Sequence, residues 1–195
     1  MILLINICRE KLHYYEFVKP VFDILVSTEE KCFVRNYNDL EEKDLKDCDK
    51  IIICGTSLKD DWFLGELDKF EWLKEFSKPV LGICGGMQII GLMFGGKLKK
   101  KTEVGFFFEE FEEEFLGLGG KNEVYHLHNN YVDFESVRNF KIYSKSDNNV
   151  TQAVKHTRKP IYGVLFHPEV RNKEMILEFV SRLAYSKLHG EGANG

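Results

Sequence analysis

Three runs in the first half of the chain are built almost wholly from apolar residues: Ile2–Ile7, in which Asn6 is the one polar member, Ile51–Cys54, and Pro79–Ile83. A strand with no polar face must be covered on both sides, which is the condition of a parallel sheet packed between two helical layers. The intervening sequence has the matching helical spacing. Leu12, Tyr15, Val18, Phe22 and Leu25 recur every three or four residues, as do Phe63, Leu67, Phe70, Leu73 and Phe76 within Trp62–Phe76. A short strand at Cys32–Val34 and a helix at Gly85–Phe94 complete the alternation. It predicts an α/β domain with right-handed crossovers and functional groups at the carboxyl ends of the strands.

After Lys97 the pattern changes to β-rich runs around Phe106–Phe111, Glu123–Leu127, Phe140–Tyr143, Val150–Lys155 and Ile161–Phe166, separated by polar turns. A mixed, partly antiparallel sheet is expected there. A docking helix is expected over Lys173–Leu188, carrying Ile176, Leu177, Phe179, Val180, Leu183 and Tyr185. The 195 residues suit one domain, read as 1–189, with residues 190–195 as a frayed tail.

The charges narrow the function. With 27 Lys and Arg against 31 Asp and Glu, the net charge of −4 supplies no basic field for nucleic acid. No run approaches the roughly 20 apolar residues of a membrane helix, and the amino terminus lacks a basic region before its apolar start and a cleavage site after it. Five cysteines, an odd number with no Cys-x-x-Cys pair, argue against a disulfide framework and a zinc ribbon. A cytoplasmic protein with reduced thiols is expected, without nucleic-acid or membrane partners.

The segment Gly82-Ile83-Cys84-Gly85-Gly86-Met87-Gln88 lies between a strand and a helix. Gly-x-Cys-x-Gly at such a junction has the form of a nucleophile elbow, whose glycines permit a sharp turn and close backbone approach. At a helix amino terminus, Cys84 meets the positive end of the helix dipole, which favours thiolate over thiol. The Gly85 N–H is placed to hold an oxyanion, and the Gly55-Thr56 turn after the third strand is expected to give a second donor. A nucleophile also needs a base and an acceptor to orient that base. Past the apolar run Ile161–Phe166 come His167, Pro168 and Glu169. A histidine just beyond a strand end can face Cys84 across the sheet, with Glu169 two residues on to accept from its second ring nitrogen.

Together these two elements resemble those of the class I (triad) glutamine amidotransferases. Gly82–Gln88 is similar to the family's Gly-x-Cys-x-Gly-x-Gln elbow, and Phe166-His167-Pro168-Glu169 to its Phe-His-Pro-Glu element. The resemblance implies a flavodoxin-like three-layer α/β sandwich, with a mostly parallel central sheet and an added antiparallel β region. It also implies a Cys84, His167, Glu169 triad that hydrolyses L-glutamine through a γ-glutamyl thioester and needs no cofactor. Gln88 then helps bind glutamine. Val104-Gly105-Phe106 resembles a stretch lining the glutamine pocket, and Leu127–Val132 resembles in part a Ser-His-x-Asp-x-Val segment, which adds Gly105, Phe106, His128 and Asn130 to the substrate-binding set.

Two departures carry expectations. Thr56 stands where many members have a second glycine, so the turn is less free to flip its peptide, and low basal activity without a partner is expected. His126 and His128 alternate on a strand, but no third ligand stands at sensible sequence spacing, so a polar strand end is expected and not a metal site. No Gly-x4-Gly-Lys-Ser/Thr phosphate loop is present. The resemblance therefore implies that ammonia is accepted by a separate, ATP-dependent synthase subunit. The phrase Lys159–Glu169 resembles that of stand-alone archaeal glutaminase subunits for GMP synthesis, which makes GMP the expected product pathway. The alternatives on the same fold are a γ-glutamyl peptide hydrolase and a non-catalytic regulatory subunit.

Overall fold

The computed structural model describes residues 1–28 and 30–189, with side chains described through residue 181. The expected tail and the side chains of Leu183 and Tyr185 lie outside that range. A seven-stranded sheet has the order β2-β1-β3-β4-β9-β8-β7. It comprises β1 (Ile2–Asn6), β2 (Cys32–Asn36), β3 (Lys50–Ile53), β4 (Val80–Ile83), β7 (Phe140–Lys145), β8 (Thr151–His156) and β9 (Ile161–Val164). The first four strands and β9 are parallel, whereas β8 and β7 extend the sheet in antiparallel pairing.

The apolar strands divide their residues between two cores, as burial on both faces requires. Ile2, Leu4, Ile52, Leu81 and Ile83 face one layer with Phe17, Val21, Leu25, Ile176 and Phe179. Leu3, Ile5, Ile51, Ile53 and Val80 face the other with Phe63, Phe70, Leu73, Ile89 and Ile90. Two layers of helix around one sheet result, the flavodoxin-like arrangement.

The covering segments depart from regular α-helix where the sequence demands it. The first contains α1 (Lys11–His13), a π-helical turn (Tyr14–Val18) and α2 (Lys19–Val26). Pro20 has no N–H to give the carbonyl four residues earlier, and its ring crowds that carbonyl, so the helix widens just before it. The helix expected over Trp62–Phe76 forms instead as two 3-10 segments, Trp62–Gly65 and Leu67–Lys74. Leu67, Phe70, Leu73 and Phe76 repeat every three residues, the period of a 3-10 and not an α-helix. Three ordinary helices complete the set: α3 (Glu42–Asp47), α4 (Gly85–Met93) and α5 (Lys173–His189).

The β-rich runs expected around Phe106–Phe111 and Glu123–Leu127 are parts of far longer strands, β5 (Lys97–Phe115) and β6 (Leu118–Asp133), paired as a separate two-stranded sheet. Leu116 and Gly117, at φ 49° and 84°, make the two-residue turn between them. The β6 backbone is bonded across the carboxyl edge of the main sheet. Tyr125 O accepts from the His167 N–H (2.8 Å), Asn130 O from Gln88 Nε2 (2.9 Å) and Glu123 O from Asn172 Nδ2 (3.3 Å). No helix among the described residues is long and apolar enough to cross a membrane.

Helix α4 is drawn tightly onto the sheet: a Cβ at Gly86 would lie 2.3 Å from the Ile53 carbonyl oxygen. Gly86→Ala is expected to cost about 3 kcal/mol in urea unfolding, the upper end for overpacking. Gly65→Ala, which meets nothing within 4 Å, is expected to be neutral or stabilising by about 0.4–1 kcal/mol. Equal stability of the two variants would contradict this packing.

Candidate active site

Cys84 follows β4 directly and holds φ 50°, ψ −105°, a region that costs a non-glycine residue on the order of 1–3 kcal/mol. The surrounding glycines hold it there. A Cβ at Gly82 would come within 2.6 Å of the Gly86 backbone carbonyl, and one at Gly85 within 2.7 Å of Ile7 Cδ1. The chain therefore turns from strand to helix in one residue. The Cys84 N–H is used by Val164 O (2.8 Å), whereas the Gly85 N–H, at the first position of α4, has no acceptor within the helix.

His167 lies just past β9 and is fully buried. Its Nδ1 is 2.7 Å from Glu169 Oε1, itself buried, and its Nε2 has no aligned hydrogen-bond partner. Burial alone would pull this imidazole down, but the Glu169 carboxylate and then the neighbouring Cys84 outweigh it, so His167 is held well above its ordinary value. The thiol, imidazole and carboxylate thus stand in sequence. Cys84 Sγ also lies 3.6 Å from the Leu127 carbonyl oxygen on β6.

Two other thiols lie nearby. Burial pushes Cys8 up to about 12 and Cys54 well above the usual thiol range, so both stay protonated at neutral pH and are poor nucleophiles. Cys8 instead fixes a peptide, its Sγ lying 3.6 Å from the Gly55 carbonyl oxygen. Since C=O and N–H of a trans peptide point opposite ways, the Thr56 N–H faces away from Cys8. Gly55 also has to be glycine, because a Cβ there would lie 2.7 Å from His167 Cε1. The Thr56 hydroxyl donates to Asp60 Oδ2 (3.0 Å), which also takes the Arg9 N–H (3.0 Å) and lies 2.7 Å from His13 Nδ1. The turn at Thr56 is tied down by this carboxylate.

Cys84 opens into a small cleft. Of the residues expected from sequence, Thr56, Gly85, Gln88, His128 and Asn130 line it. Gly105 and Phe106 do not. Gly105 pairs with His126 in the hairpin, and Phe106 is 57% exposed, packed on Tyr125. The long β5 strand carries them past the cleft, so of the hairpin's two strands it is β6 that lines it. The loop after β3 contributes Ser57, Leu58, Asp60 and Asp61, which the sequence reading missed. Their position after a parallel strand was the available signal.

The pair His126 and His128 gains a neighbour that sequence spacing did not reveal. Glu103 Oε2 on β5 is 3.1 Å from His126 Nδ1 and 3.1 Å from His128 Nε2. No third ligand stands at sensible sequence spacing, but the antiparallel pairing of Glu103 with His128 places a carboxylate beside the two histidines in space.

Comparison with known proteins places the chain in a family. A family model, glutamine amidotransferase class-I, matches residues 13–184. The A-type subunit of GMP synthase (glutamine-hydrolysing) from Pyrococcus abyssi is 39% identical over 122 residues, covering 60% of this chain and 63% of that protein. Its counterpart from Pyrococcus furiosus is 34% identical over 165 residues, 81% of this chain and 85% of the relative. In fold, a crystal structure of a protein from Thermoplasma acidophilum superposes with a TM-score of 0.84 at 22% identity, covering 97% of both chains.

The direction of the His167 shift gives a pH test. A group raised in the folded state stabilises fully below its unfolded value, about 6.5, and loses that contribution as pH rises through the folded value. Because His167 is held well above its ordinary value, the destabilisation caused by Glu169→Gln is expected to be largest below about pH 6.5 and to shrink as the pH is raised in urea unfolding. An equal or growing penalty at high pH would contradict the assigned pair.

Proposed function

Because the chain belongs to the class-I glutamine amidotransferase family, we propose that it hydrolyses the side-chain amide of L-glutamine at Cys84 and delivers the ammonia to a separate synthase subunit that makes GMP. The observation that carries this reading is the buried His167 ring, oriented by Glu169 through Nδ1 and leaving Nε2 free beside a cysteine held at positive φ.

The Cys84 thiolate attacks the amide carbon, and the carbonyl oxygen becomes an oxyanion held by the Gly85 N–H and by a donor from the Gly55-Thr56 turn. Loss of one such donor typically costs about 2.7–4 kcal/mol. His167 Nε2 gives its proton to the departing nitrogen, so ammonia leaves and a γ-glutamyl thioester remains. His167, now neutral, takes a proton from water, whose oxygen attacks the thioester. Collapse of the second oxyanion expels the Cys84 thiolate and releases glutamate. Glu169 stabilises the imidazolium and fixes its tautomer. Gln88 and Asn130, on the cleft wall, orient the amino-acid end of the substrate.

The acceptor reading rests on likeness to the Pyrococcus proteins and on the phrase Lys159–Glu169. The chain carries no phosphate loop, so the ATP-using step is assigned to the partner. Thr56, tied to Asp60, resists reorientation of the Gly55-Thr56 turn, which favours low turnover until the synthase binds.

Ammonia release from glutamine tests the reading. Cys84→Ala is expected to abolish turnover, and Glu169→Gln to lower kcat on the order of 10³- to 10⁴-fold with the fold retained. Persistent turnover in Cys84→Ala would overturn the proposal, as would preference for γ-glutamyl peptides over glutamine. Adding the synthase is expected to raise turnover, and equal rates with and without it would remove the partner-activation part.

A further inference from the structure

Glu103, His126 and His128 are nearly solvent-free, at 3%, 0% and 2% exposure, and their ligand atoms lie within 4.8 Å of one another. We propose that these three residues form a binding site for a divalent transition-metal ion, zinc being the best match, which cross-links β5 to β6 beside the cleft. The inference is independent of the amide-hydrolysis reading.

Donor chemistry supports it first. Two imidazole nitrogens and a carboxylate oxygen are the donor set of zinc sites. At Zn–N and Zn–O lengths of about 2.0–2.2 Å, tetrahedral ligand atoms stand roughly 3.4 Å apart. The two nitrogens are each 3.1 Å from Glu103 Oε2, and all three ligand atoms lie within 4.8 Å of one another, so the two carboxylate–imidazole spacings are close to those of a tetrahedral site.

Orientation of the rings supports it second. Metal-bound histidines commonly turn their outer nitrogen to a carboxylate or backbone carbonyl. His128 Nδ1 is 3.2 Å from Lys101 O. The Nε2 of His126 is 3.2 Å from Glu109 Oε1, close although poorly aligned. Both inner nitrogens then converge on Glu103. That carboxylate is steadied by Ser146 Oγ (2.8 Å) and Asn148 Nδ2 (3.0 Å) on Oε1, and by Gln152 Nε2 (2.8 Å) on Oε2. Charge supports it third: Glu103 and Glu109 bring two buried negative charges, which one divalent ion between two neutral imidazoles balances.

The placement gives the ion a consequence. His126 and His128 flank Leu127, whose carbonyl oxygen lies 3.6 Å from Cys84 Sγ, and His128 lines the cleft. An ion there stiffens the wall against which the nucleophile sits.

The full chain, stripped with a chelator and desalted, is titrated with zinc and with cobalt(II). About one zinc per chain is expected by elemental analysis, with a rise in Tm of about 5 °C or more at saturating metal. The cobalt(II) form is expected to show nitrogen and oxygen ligation without a thiolate charge-transfer band, a reading that needs only the unaltered protein. His126→Gln and His128→Gln are each expected to weaken zinc binding more than about 100-fold. No retained zinc and no rise in Tm would overturn the proposal, leaving a network bridged by protons. A thiolate band, or wild-type affinity in both histidine variants, would equally overturn it.

Discussion

The close approach of α4 to β3 and β4 governs the molecule's chemistry. No atom larger than hydrogen fits between Gly86 and the Ile53 carbonyl oxygen, or between Gly82 and the Gly86 backbone. With the helix held that near, the chain must reverse within one residue, and Cys84 takes a backbone conformation that L-residues avoid. The strain is sustained because the elements on either side are anchored by buried apolar strands. The same turn leaves the first N–H groups of α4 without helical acceptors, next to the sulfur. The position of the proposed nucleophile and that of the proposed oxyanion donor are thus two results of one packing constraint.

A second layer of control comes from polar groups buried at the strand ends. Glu169 sets the orientation of His167, and Asp60 gathers Arg9, His13 and Thr56 around the turn after β3. Four strands, β1, β3, β4 and β9, deliver Cys8, Gly55, Cys84 and His167 to one edge of the sheet, where a doubly wound fold binds its ligands. The long β6 strand then closes that edge through backbone bonds. Being laid across the site, it couples the hairpin's own interior to the cleft.

Much of this was legible in the residues. Uninterrupted apolar runs fixed the parallel strands, because the absence of a polar face has a single structural solution. The elbow and the Phe166–Glu169 element pointed to Cys84, His167 and Glu169 as the groups proposed to react, since each pairs a strand end with chemistry rarely needed for packing. What could not be read depends on register or on local sterics. The 3-10 period at Leu67–Phe76 and the effect of Pro20 were present in the sequence but masked by similarity to α-helical spacing. Gly105 and Phe106 looked like cleft residues, yet the length of β5 carries them beyond it. Glu103 is 23 residues from His126, and only the hairpin register makes them neighbours.

The most direct measurement of the central claim is peptide mapping after treatment with a chloroketone analogue of glutamine in the presence of the synthase. Stoichiometric alkylation is expected at Cys84, with Cys8, Cys32, Cys48 and Cys54 untouched and with protection by excess glutamine. Alkylation distributed over the other thiols, or none at Cys84, would show that the strained cysteine beside His167 is not the glutamine nucleophile.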